Sequence, residues 1–167
     1  MYSHKEEEKF NQIKKIIPGG KTMAKMKTIS IEAKLDEKFK IEVKAGEHLM
    51  VVDQPKAGGG TDAGATPLEY LFASMAGCIG TVARIIAMQK RIPLKGMNIK
   101  VEGALDLDTL LGKSRENRAG FTGIKVRIEI DADLTRQQKE EFVKEIDSRC
   151  PVSDNMVNIT PVAIEVA

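Results

Sequence analysis

TPLEYLFASMAGCIGTVARIIAMQKR, residues 66–91, reads as one long helix with almost no polar face. Thr66 is a good N-cap, Pro67 fits the first helical position, and Glu69 completes a capping box. Pro93 sets the far end, because proline cannot continue the backbone ladder. Between these limits Leu68, Leu71, Phe72, Met75, Ile79, Val82, Ile85, Ile86 and Met88 recur at three- and four-residue steps. Ala73, Ser74, Ala76, Gly77 and Gly80 fill much of the remainder, so the surroundings of Cys78 are small or apolar on nearly every side. Such a helix is expected to be covered by protein on several faces, inside the domain or at a subunit contact.

Working outward, the preceding segment changes period. Ile29, Ile31, Ala33 and Leu35 alternate with polar residues, as do Phe39, Ile41 and Val43, and a third run spans His48–Asp53. This predicts a three-stranded meander with one wet face. Gln54–Ala65, QPKAGGGTDAGA, reads as a flexible entrance loop; its glycines match neither a P-loop nor a dinucleotide fingerprint. After the helix come a strand at Met97–Leu107, a polar connection at Asp108–Gly120, and a half-buried strand at Ile124–Ile130. A second helix from Leu134 to about Ser148 and a last strand at Ile159–Val166 complete the chain. The order βββ-α-ββ-α-β lacks regular βαβ alternation, which predicts an α+β fold of antiparallel sheets around a long buried central helix. Residues 1–22 read as an amphipathic helical extension ended by Pro18-Gly19-Gly20, and residues 23–167 as a single domain.

The chain has 167 residues, net charge +2, 4% aromatic residues and no Trp. This gives no electrostatic or stacking case for nucleic acid, and none for a membrane surface. Arg84 interrupts the apolar run of the long helix, so no membrane span is expected. MYSHKEEEKF lacks the apolar core of a secretory signal, and the expected location is the cytoplasm. No motif implies a metal, nucleotide or flavin cofactor. The two cysteines, Cys78 and Cys150, lie 72 positions apart with only His4 and His48 as histidines, too few for a zinc site. In a reducing compartment any bond between them is expected to be transient. Read from the residues alone, two reactive thiols and two inert packing residues both remain open.

TPLEYLFASMAGC followed by CPVSDNMVN and a terminal strand resembles the OsmC/Ohr family, the osmotically inducible and organic-hydroperoxide-resistance proteins. The likeness runs from about Met26 to the C-terminus. It implies a swapped homodimer with two long helices at its centre, and thiol-dependent reduction of organic hydroperoxides. In that reading Cys78 is the peroxidatic residue and Cys150 the resolving one, re-reduced by a cellular dithiol. Leu71, Phe72, Met75 and Ile79 are candidate walls of an apolar peroxide channel. The family's reductases add an N-terminal Arg and a Glu directly after the motif proline. Here Leu68 follows the proline, Glu69 is the nearest carboxylate, and the first arginine in the chain is Arg84. Glu69 is therefore a candidate both for catalysis and for a plain helix cap, and Arg115 and Arg118 are candidate substitute cations. The alternative function is a small-ligand-binding or redox-sensing protein without efficient turnover.

Overall fold

A computed structural model describes residues 25–166. The expected extension at residues 1–22 lies outside the described residues. Three short strands, β1 (Glu32–Leu35), β2 (Ile41–Ala45) and β3 (His48–Val52), form an antiparallel meander. Its register pairs Ala33 with Val43 and Val43 with Met50. The expectation of one covered face needs correction. Val43 is buried, but Ile31, Leu35, Phe39 and Leu49 stay exposed within the single chain.

The central helix α1 spans Pro67–Lys90. Its start is the full capping box: Glu69 N–H donates to Thr66 Oγ1, and Thr66 N–H donates back to Glu69 Oε2 at 2.7 Å. Arg91 closes it in the left-handed conformation, φ 56°. By length and composition this helix could cross a membrane, contrary to the reading of Arg84 as an interruption. Its packing is that of a domain core: Met75, Ile79, Val82, Ala83, Ile86 and Ala87 are buried among other elements. Arg84 is carried by turning its guanidinium onto the Leu94 carbonyl at 2.6 Å.

Strand β4 (Gly96–Ala104), the short helix α2 (Leu107–Leu110) and strand β5 (Gly123–Asp131) follow. β4 and β5 pair antiparallel along their full length, setting Met97 against Ile130, Ile99 against Ile128 and Val101 against Val126. Those side chains pack on the core, while Lys125, Arg127 and Glu129 point outward. Helix α3 (Arg136–Arg149), opened by a second capping box at Thr135 and Gln138, lays Phe142 and Ile146 against α1. Burying Ile86 and Ile146 completely contributes about 2 kcal/mol each.

The expected α+β class with a long central helix is what the chain adopts, but its tail differs. A further helix, α4 (Pro151–Val157), follows α3 directly, because Pro151 takes the first position of a new helix instead of merely ending the old one. The strand expected at Ile159–Val166 does not form among the described residues. Its alternating side chains Val162, Ile164 and Val166 are each more than four-fifths exposed.

Candidate active site

Cys78 sits mid-way along α1, half-buried, between the buried Met75 and Ile79. Cys150 is the single residue shared by two helices, ending α3 and capping α4. Its backbone N–H donates to the Asp147 carbonyl at 3.2 Å, and its Sγ accepts from the Ser153 N–H at 3.4 Å. The Ser153 hydroxyl donates to Asp147 Oδ1 at 2.6 Å, clasping the two helices across the cysteine. This joint turns Cys150, 1% exposed, onto α1, where its Sγ lies 3.0 Å from Cys78 Sγ. Both residues are free thiols. Sulfurs at this separation close to a bond of ~2.05 Å with a shift of about 1 Å.

Burial pushes the Cys150 thiol above its ordinary range, and its hydrogen bond to Cys78 adds to the rise; the Ser153 N–H works against both. The buried Cys150 thiol faces a more accessible sulfur. Among the described residues the Cys150 thiol is the one hydrogen-bonding partner of Cys78 Sγ.

The other residues singled out from sequence fall in several places. Met75 and Ile79 belong to the core that also holds Cys150, whereas Leu71 is exposed on α1. Phe72 stacks on Phe121 with ring centroids 4.7 Å apart. Glu69 is committed to the cap: its carboxylate accepts from both the backbone N–H and the hydroxyl of Thr66, which hold it below the usual carboxylate range. Arg115 and Arg118 lie in the exposed connection before β5, and neither bonds to a sulfur in the described chain. The Arg118 guanidinium instead lies over Gly120. A shallow groove of about 590 Å³ between β5 and α3, lined by Ile128, Ile130, Leu134 and Val143 among others, shares no residue with the thiol pair.

One buried ionisable group was not singled out from sequence. Asp53, 1% exposed, ends β3 and organises the loop behind it. Its carboxylate accepts from the N–H groups of Gln54, Thr61 and Ala63 and from the Thr61 hydroxyl. Four donors hold it far below the usual carboxylate range, the Thr61 hydroxyl first among them. The glycines serve this wrapping. A Cβ on Gly60 would fall 2.0 Å from the Gln54 carbonyl oxygen, and one on Gly64 would fall 1.9 Å from that of Val51. The segment read as a flexible entrance is a folded loop around a carboxylate. A strand-ending Asp ahead of a glycine-rich run was the available signal.

A long central helix, antiparallel sheets and two facing thiols define an α+β protein with a two-cysteine site. The family model described as OsmC-like protein matches residues 59–165, and the chain belongs to that family. Among solved structures it is similar to an OsmC-like protein from Mycoplasma pneumoniae, at 22% identity and a TM-score of 0.70, covering 80% of this chain and 89% of that one. An organic hydroperoxide resistance protein OsmC from Legionella pneumophila shares 21% identity, with a TM-score of 0.60, covering 80% of this chain and 91% of that one. The organic hydroperoxide resistance protein OhrB of Bacillus subtilis shares 22% identity, with a TM-score of 0.52 and coverage of 77% and 90%. Comparison with curated proteins returns no match.

Proposed function

We propose that this chain is a thiol-dependent peroxidase of organic hydroperoxides, with Cys78 attacking, Cys150 resolving and a cytoplasmic dithiol restoring both. The observation that carries this reading is the 3.0 Å approach of a half-buried sulfur to a fully buried one. The Cys78 thiolate attacks the terminal oxygen of the hydroperoxide, the O–O bond breaks, and an alkoxide leaves. Sulfenic acid on Cys78 is then within reach of Cys150, which displaces hydroxide and forms the disulfide before further oxidation. The dithiol reduces that disulfide and is itself oxidised. Leu71 and Phe72, as candidate walls of the site, are apolar and in this reading suit an organic peroxide better than hydrogen peroxide.

The working unit in this reading is a homodimer. Leu71, Ile85 and Met88 expose an apolar stripe along α1, and a Cβ on Gly77 would meet nothing within 4 Å among the described residues beyond its own helix backbone. The exposed Ile159–Val166 segment, whose Ile159, Val162 and Ile164 are apolar and open in the single chain, supports the same assembly, since a second copy could cover it. One specific observation favours a second reading, ligand binding or redox sensing without turnover: no arginine of the described chain bonds to Cys78.

The test is peptide mass spectrometry after one equivalent of an organic hydroperoxide without reductant. The peroxidase reading expects loss of two hydrogens mapped to a Cys78–Cys150 link within seconds, and sustained peroxide consumption once a dithiol is added. A link that forms without sustained consumption favours sensing. Unmodified thiols overturn the peroxidase.

A further inference from the structure

We infer that Cys150 has a task before resolution: its S–H, fixed 3.0 Å from Cys78 Sγ, is the donor that stabilises the attacking thiolate. This rests on Cys78 being the nucleophile, as proposed above. Three observations lead to it. Cys150 is sealed from water, so its proton has little competition from solvent for an acceptor. Its orientation is set by the Asp147–Ser153 clasp and by the two helix ends that meet on it. Several charged groups on the described elements packed around the pair are engaged elsewhere. Arg84 binds the Leu94 carbonyl, and Arg149 binds Gln89 and Glu145. Lys90 also binds Glu145, Asp147 accepts from Ser153, Asp154 accepts from Asn158, and on β4 Lys100 pairs with Glu102.

Burial, which pushes the Cys150 thiol upward, agrees with a proton kept on Cys150 and shared toward Cys78. The steps then balance. Cys78–S⁻ takes the terminal oxygen of ROOH, giving Cys78–S–OH and RO⁻. The alkoxide takes the Cys150 proton and leaves as ROH. The Cys150 thiolate so formed, steadied by the Ser153 N–H, attacks Cys78 Sγ and expels hydroxide. One proton thereby serves activation, departure of the alcohol and generation of the second nucleophile.

The experiment needs no peroxide, so its outcome is separate from that of the peroxidase reading. The full-length reduced protein is treated with iodoacetamide across a pH series, and the Cys78 peptide alone is followed by mass spectrometry. Cys150→Ala is expected to slow Cys78 alkylation near neutral pH about tenfold, the effect of losing one hydrogen bond to a charged group. Cys150→Ser, which keeps a donor and a helix cap, is expected to restore most of that rate. Should Cys150→Ala not fold, Cys150→Val against Cys150→Thr compares equal sizes with and without a donor. Equal Cys78 rates in the donor and non-donor variants overturn the inference, even if the protein proves a competent peroxidase.

Discussion

The Asp53 carboxylate accepts both the backbone N–H and the hydroxyl of Thr61, at 3.0 and 2.6 Å, closing an eight-residue span of glycine-rich chain. Because its pKa is depressed in the fold, the stabilisation is present above the ordinary carboxylate range and is lost as pH falls below it. Acid unfolding of Asp53→Asn, followed by circular dichroism, is therefore expected to show lower stability at neutral pH and a shallower loss below about pH 4. Equal curves for variant and parent would show that the loop does not depend on this charge.

The glycines of that loop give a second prediction. Gly64→Ala drives a methyl group into the Val51 carbonyl and is expected to cost at least about 3 kcal/mol in urea unfolding. A truly flexible entrance would absorb the change with no measurable effect.

Separating the two cysteines distinguishes their roles. Cys78→Ser is expected to abolish hydroperoxide consumption. Cys150→Ser is expected to permit one turnover and then accumulate sulfinic acid on Cys78, visible as a gain of two oxygens by mass. Sustained turnover in Cys78→Ser would remove Cys78 from the chemistry.

For Glu69 the two candidate roles predict different outcomes. Thr66→Ala, which breaks the cap, is expected to cost about 1 kcal/mol of stability. Glu69→Gln, which preserves a capping box, is expected to leave both melting temperature and turnover unchanged. A large fall in kcat with an intact melting curve would make Glu69 catalytic after all.

The exposed stripe on α1 predicts assembly. Met88→Lys, at a position 74% exposed in the single chain, is expected to convert a dimer into monomer by light scattering. An unchanged dimer mass would place the interface elsewhere.

The sequence was most legible where structure is local. The Thr66–Glu69 cap, the three-residue recurrence from Leu68 to Met88 and the alternation from Ile124 to Ile130 each depend on neighbours a few positions away. Helix α4 was missed because a proline that can stop one helix can also start the next, as Pro151 does here. Asp53 went unnoticed because its donors lie up to ten residues downstream, across a loop whose composition also suits mobility. The alternation of Ile159–Val166 was visible, but alternation alone does not make a strand, and none forms there among the described residues. The approach of the two cysteines depends on how α3 and α4 join, a tertiary fact that only the resemblance of the two cysteine motifs to a family anticipated.

The meeting of Cys78 and Cys150 has a thermodynamic consequence for the whole chain. A bond between them would close a loop of 72 positions linking the central helix to the C-terminal helical joint. Removing that loop's freedom from the unfolded chain raises stability by about 4 kcal/mol in the chain-entropy account. Oxidant would thus tighten the protein it has just reacted with, and each reduction by a dithiol would return it to a looser fold. Resistance to unfolding becomes a running record of which half of the cycle the protein occupies.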